Sequence, residues 1–243
     1  MIQLAILQHV WWEGPGKFLL EAASRCNAKL NVIKVWQQQI PELSAYDGLI
    51  ILGGGPDVGQ EGESPYLDPE KEAIRGWLQS DKPCLGICLG HLLLAEVLGS
   101  RIGPNFCHSI GFTEGHLTSI GRAHPIFKGI DTHLPLFKWH AYAILPPVPS
   151  HLHILATSKE CQVEAFTVQN RPYIIGIQFD SHAAAPEDVA GWLNHDAAWL
   201  NAIPDKIINT KQIMADAGKY SRQTRCHFLQ FFKNFIRLIQ NPG

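Results

Sequence analysis

Residues 83–99 read Pro83-Cys84-Leu85-Gly86-Ile87-Cys88-Leu89-Gly90-His91-Leu92-Leu93-Leu94-Ala95-Glu96-Val97-Leu98-Gly99. A short apolar run over 83–87 meets a longer one over 89–98 that stops at Gly99, which predicts a strand running straight into a helix. Cys88 stands at the junction with a glycine two residues to either side. This is the cysteine form of a nucleophile elbow, in which the glycines let the chain turn sharply and expose the side chain at the edge of a sheet. At a helix N-terminus the dipole and the free N–H groups favour thiolate over thiol, and the Leu89 N–H can supply half of an oxyanion hole. The plainer alternative is a structural cysteine buried between two tight-packing glycines.

Outward from this junction, apolar runs alternate with helical segments. Strands are expected at 4–7, 30–35 and 48–52, with a helix over 16–27 between the first two. The third strand is closed by Gly53-Gly54-Gly55-Pro56, whose backbone N–H groups can face an oxyanion or a phosphate. A helix over 68–79 is expected to open with Asp68 as N-cap and Pro69 at the first helical position. Such alternation predicts a parallel sheet with helices on both faces and a site at the carboxyl ends of its strands. From about 102 to 178 the pattern changes to short strands (115–119, 153–156, 164–168 and 173–179) joined by Gly, Pro and Asn turns, an antiparallel second half of the same domain. Helices follow over 186–200 and 220–239. The second carries Phe228, Phe231, Phe232, Phe235, Ile236 and Ile239 on one broad face, better suited to covering a core than to docking a partner. One domain over 1–200 with a helical extension over 201–243 packed on it is the expected organisation.

The 243 residues are 46% apolar and 17% charged with a net charge of −2, a globular balance without the basic footprint of nucleic-acid or anionic-lipid binding. The first ten residues lack a signal peptide's basic region and cleavage site, and no apolar run approaches the ~18 residues that span a bilayer. The six cysteines show neither paired zinc spacing nor a disulfide framework, which predicts a reducing, cytoplasmic setting. No Gly-x-x-x-x-Gly-Lys-Ser/Thr loop occurs, so no cofactor is expected.

Gly53-Gly54-Gly55-Pro56, then the Cys88 block through His91, Trp139-His140, Val163-Glu164-Ala165-Phe166 and Gly176-Ile177-Gln178-Phe179, in that order, resemble the class I glutamine amidotransferases. The opening from Gln8-His9 to Glu13-Gly14-Pro15-Gly16 resembles a stand-alone branch of that family, of the GMP-synthase-amidotransferase kind. The resemblance covers residues 1–200 and implies an α/β, flavodoxin-like mixed, mainly parallel sheet with helices on both faces. It also implies chemistry: a cysteine attacks the glutamine side-chain amide to form a glutamyl thioester, a histidine accepts the thiol proton, and a glutamate orients the histidine. Carried over, the nucleophile is Cys88, and the oxyanion donors are the backbone of Gly54 or Gly55 and of Leu89. The substrate implied is glutamine or a related amide. The chain shows no synthase domain, so any ammonia made would go to an acceptor on another chain, or the reaction would end at hydrolysis.

Three departures qualify this. Where the family has His-Pro-Glu after its Gln-Phe strand, this chain has Asp180-Ser181-His182. A carboxylate at the base position disfavours thiolate and is a weak acceptor for a thiol proton. The glutamine that the family carries four residues past the cysteine is Leu92 here, and Ser109 stands where related sequences carry a polar partner for substrate. Three readings of the altered triad follow: a degenerate site that hydrolyses glutamine poorly, a rearranged active site with His182 or another histidine as base, and a metal site of Cys88, Asp180 and His182. The residues favour the first. A non-catalytic binding or regulatory protein and a cysteine hydrolase with another acyl substrate stand as alternatives. His140 is expected to serve structural hydrogen bonding.

Overall fold

The computed structural model describes residues 1–55, 57–203 and 208–241. Pro56, expected to close the glycine loop, therefore lies outside the described residues, as do 204–207 in the expected C-terminal extension. The elements are β1 (Ile2–Gln8), α1 (Gly16–Arg25), β2 (Ala28–Lys34), β3 (Gly48–Ile51), α2 (Leu67–Gln79), β4 (Cys84–Ile87), α3 (Leu89–Val97) and β5 (Arg101–Leu117). They continue with α4 (Ser119–Ala123), β6 (His133–Leu145), β7 (Leu152–Ser158), β8 (Ala165–Val168), β9 (Arg171–Ile177), α5 (Pro186–His195), α6 (Ala197–Ala202) and α7 (Thr210–Gln240).

One nine-stranded sheet runs β2-β1-β3-β4-β9-β8-β7-β5-β6. The pairs from β2 through β9 are parallel and those from β9 outward are antiparallel. This is the expected α/β, flavodoxin-like arrangement. From β1 the chain steps outward through α1 to β2, whereas β3 steps the other way through α2 to β4. Right-handed crossovers then place α1 and α2 on opposite faces. The central strands β3, β4 and β8 are buried along their whole length, which is why they read as continuous apolar runs rather than alternating ones.

Glycine permits close backbone contact at the elbow. A Cβ on Gly90 would sit 2.2 Å from the Ile51 carbonyl oxygen, and one on Gly86 would sit 2.4 Å from the Gly90 carbonyl oxygen. The first turn of α3 is thus pressed against β3 and β4, and this contact aims Cys88 outward.

Several boundaries differ from expectation. The helix expected over 68–79 starts at Leu67, its N-cap is Tyr66 with no side-chain cap bond, and Pro69 lies within a first turn whose N–H groups need no intrahelical partner. The single helix expected over 186–200 is broken at Asp196 into α5 and α6. The expected border at 200/201 falls inside α6. β5 and β6 form a long antiparallel pair of which the sequence pattern marks only the end of β5; the register shifts between Pro104 and Ser109 and Gly111 takes φ +96°, and both disguise the alternation. α7 begins ten residues before the expected start, with the Asn209 side chain accepting from the Gln212 N–H at 3.0 Å. It buries Phe228, Phe231, Phe232, Phe235 and Ile236, and buried Asn234 donates to the carbonyls of Ile126 and Lys128, so it covers core. Among the described residues no helix is long and apolar enough to cross a membrane.

Two glycine-to-alanine variants should diverge. Gly90→Ala forces the α3 contact apart and is expected to cost about 1–3 kcal/mol or more. Gly191→Ala, in α5 with nothing within 4 Å of the added methyl, should gain about 0.4–1 kcal/mol. Urea unfolding midpoints measure both.

Candidate active site

Cys88 has φ +51° and ψ −108°, a conformation that a non-glycine residue holds only when its surroundings enforce it. Its own N–H donates to the Ile177 carbonyl at 2.9 Å, and the Gly90 N–H donates to Leu52 at 3.1 Å, so β9 and the end of β3 pin the elbow from both sides. Although only 7% exposed, Cys88 lines a cavity of about 320 Å³ together with Glu13, Gly54, Gly55, Leu89, Leu92 and His140. It is not sealed in the core. The Leu89 N–H faces the sulfur.

The glycine loop needs its glycines. A Cβ on Gly54, at φ +151°, would strike His9 at 2.5 Å, and one on Gly53 would lie 3.3 Å from each of the Asp180 carboxyl, the Cys88 Cβ and the Glu13 carboxyl. His9 holds this loop from below: Nδ1 meets the Gly53 carbonyl at 2.9 Å and Nε2 meets the Glu70 carboxylate at 2.9 Å. Burial alone would lower its pKa, but Glu70 and the Gly53 carbonyl raise it on balance. Each ring nitrogen thus faces an acceptor, an arrangement that favours the protonated ring.

Asp180 follows β9. Its N–H donates to the Phe137 carbonyl at 2.8 Å, which fixes its side chain toward Cys88. The residue is fully buried, and neither carboxyl oxygen has a hydrogen bond of good geometry. Burial pushes its pKa well above the usual carboxylate range, assisted by Glu164 and only partly opposed by Lys138 and the Cys88 thiol. Glu13, 6% exposed, is raised as well, by burial and then by Asp180 and Asp196. The Cys88 thiol is pushed well up by burial, then by Asp180 and Glu13; the Leu89 N–H and Lys138 oppose this without prevailing. Lys138 itself is fully buried in an ion pair with Glu164, which also accepts from Ser158.

His182 does not meet Cys88. The short 3-10 turn at Ser181–Ala183 turns it toward α5 and α7, where its ring lies 6.3 Å from that of Trp192 and 6.4 Å from that of Phe228. It donates to the Gly14 carbonyl, and burial drives its pKa down to about 3. Ser109 is buried opposite His140 in the β5–β6 register and does not line the cavity. Leu92 does, presenting an apolar surface. His140 donates from Nδ1 to the Tyr142 carbonyl at 2.9 Å, the expected structural bond, yet its Nε2 is unpartnered and the residue lines the cavity. Burial, then Lys138, holds its pKa well below the usual value. The metal reading fails on geometry: among the described residues the one group of three or more His, Cys, Asp or Glu with ligand atoms mutually within 4.8 Å is Glu114, His116 and His133.

Two contributors, Glu13 and Lys138, lie outside the site residues that the sequence singles out. The signal for Glu13 is an acid just beyond the carboxyl end of β1; for Lys138 it is a lysine amid the apolar run Leu136-Phe137-Lys138-Trp139.

Asp180 makes the pH dependence predictable. A carboxyl whose folded pKa is raised binds its proton more tightly in the native state, so native stability falls as pH climbs from ~4, the unfolded value, to the folded pKa. Asp180→Asn lacks this loss. Its stability advantage over the wild type should be absent near pH ~4 and reach about 1 kcal/mol or more by pH ~8, measured by urea unfolding at both.

Residues 16–182 match the family model described as glutamine amidotransferase class-I. The chain is 31% identical over 162 residues to a subunit of the glutamine-hydrolyzing GMP synthase of Methanosphaera stadtmanae, covering 64% of this chain and 80% of that one. To the protein of the same name from Methanocaldococcus jannaschii it is 32% identical over 138 residues, covering 57% and 66%. A crystal structure of a glutamine amidotransferase from Thermotoga maritima superposes with a TM-score of 0.85 at 20% identity, covering 97% and 98%. One from Methylobacillus flagellatus gives 0.81 at 20%, covering 97% and 94%; at this identity the likeness bears on the fold alone. With the family match spanning most of the sheet and the Cys88 elbow within it, the chain belongs to the class I glutamine amidotransferase family.

Proposed function

We propose that this chain keeps the family's thiol cavity as a ligand site and does not hydrolyse glutamine efficiently at neutral pH. The carrying observation is the buried Asp180 carboxyl facing Cys88 where the family places an imidazole. Either protonation state of Asp180 defeats thiol activation. As an acid it has no lone pair basic enough to take the proton; as a carboxylate it repels the thiolate that would form. His182 is turned into the aromatic packing of Trp192 and Phe228, so it does not replace the missing base. Gly54, Gly55 and Leu89 still line the cavity, so the oxyanion donors can hold a carbonyl without turning it over.

The relatives from Methanosphaera stadtmanae and Methanocaldococcus jannaschii are each named as one subunit of a glutamine-hydrolyzing GMP synthase. By that likeness a separate synthase chain is the partner class we assign, with a regulatory or ligand-reporting role in place of ammonia supply. The six free cysteines fit a reducing, cytoplasmic setting.

Ammonia release from L-glutamine tests this. Wild type should match Cys88→Ala at background. Asp180→His combined with His182→Glu should gain release by about tenfold or more, dependent on Cys88. Wild-type release that disappears in Cys88→Ala refutes the proposal.

A further inference from the structure

A second set of chemically capable side chains lies at the far side of the sheet from the Cys88 cavity, on β5 and on β6, which is an edge strand. Glu114 and His116 stand two residues apart on β5, so both project from the same face, while Gly115 and Leu117 are buried. His133, the first residue of β6, is the direct cross-strand partner of His116. The Leu117 N–H donates to the Thr132 carbonyl at 2.9 Å, which makes 117–132 a hydrogen-bonded pair and 116–133, the next along, a non-hydrogen-bonded one. Side chains approach most closely at pairs of that kind. The two imidazoles meet there edge to face, with ring centroids 4.9 Å apart.

One donor atom from each of Glu114, His116 and His133 lies within 4.8 Å of the other two. Metal–ligand bonds of about 2.0–2.2 Å at the tetrahedral angle set donor atoms about 3.3–3.6 Å apart. The Glu114–His116 side already has that spacing, with Oε1 3.4 Å from Nε2. All three residues are exposed, so small side-chain rotations close the remaining gap. Glu114 and His133 also line a cavity of about 310 Å³, through which water reaches the point between them. An exposed Glu–His ion pair by itself contributes little and needs no second imidazole opposite it. Two imidazoles and one carboxylate instead form a borderline donor set, suited to zinc and its neighbours and not to calcium or magnesium, which take oxygen ligands.

We propose that Glu114, His116 and His133 bind a divalent transition metal of the zinc class, with water from the adjoining cavity completing its coordination. The ion ties the edge strand β6 to β5 at the end of their ladder. Because the ligands come together only when the two strands are paired in register, binding favours the folded chain by mass action. This site is independent of the Cys88 cavity and of what that cavity does.

Calorimetric titration of the chelator-treated full chain with Zn²⁺ is the test. Wild type should show a site that weakens by about tenfold or more in each of Glu114→Gln, His116→Ala and His133→Ala. Zn²⁺ should also raise the wild-type urea midpoint, and that rise should be lost in the three variants. Each chain is read against its own metal-free midpoint, so any change in intrinsic stability cancels. Co²⁺ reads the donor set without a variant: its first equivalent should give a visible absorption band and no thiolate-to-cobalt charge-transfer band. No Zn²⁺ binding at about 0.1 mM, an affinity unchanged in any one of the variants, or a wild-type midpoint that Zn²⁺ does not move overturns the proposal. A charge-transfer band with the first equivalent of Co²⁺ places the ion at a cysteine and overturns it as well.

Discussion

A thiol at the tip of a strand, facing a carboxyl that water does not reach, sets the character of this protein. Cys88, Asp180 and Glu13 converge on the face of Gly53; burial raises the cost of ionising each, Asp180 raises it further at Cys88 and at Glu13, and Glu13 raises it at Cys88. In low dielectric, like charges at such range cannot be carried together. The buried cation that acts on the group, Lys138, is already committed to Glu164. All three groups are therefore shifted toward their protonated forms, the opposite direction from the thiolate that attacks an amide.

What surrounds the thiol is nonetheless built with care for its position. The strained backbone at Cys88 is held by bonds from β9 and by the close approach of α3 to β3. The His9–Glu70 pair, fully buried, fixes the Gly53 carbonyl and so the orientation of the glycine loop. Buried charge and backbone strain both cost stability, and a chain with no use for the cavity would gain by losing them. Their presence beside an unactivated thiol is why a retained ligand site explains the geometry better than a relic of the core.

The legible parts of this architecture are those encoded within a few consecutive residues. The elbow can be read because Gly86, Cys88 and Gly90 act on one another locally, and β3 and β4 because fully buried strands are continuous apolar runs, as is the buried stretch Leu4–Leu7 of β1. Glu13 carries only the faint signal of an acid beyond the end of β1, since its role arises only when the end of β1 meets the end of β9. The β5–β6 pair is largely hidden by a register shift and by glycines at Gly103, Gly111 and Gly115. The early part of α7 is hidden too: its polar turns around Lys211, Asp216 and Lys219 carry little apolar pattern, although Ile213 and Ala217 are buried there. His182 is the instructive case. Two residues from Asp180 in sequence, it is separated from Cys88 by a single helical turn that sends the ring to the other side of the chain.

The protonation state of Cys88 at neutral pH is the quantity on which this account turns. An infrared difference spectrum between wild type and Cys88→Ser reports it through the S–H stretching band, which a thiolate lacks. The account predicts that the wild type shows a Cys88 S–H band at pH ~7 that persists well above the ordinary cysteine pKa of ~8.5. A wild type with no such band at neutral pH, its sulfur already ionised, would contradict it.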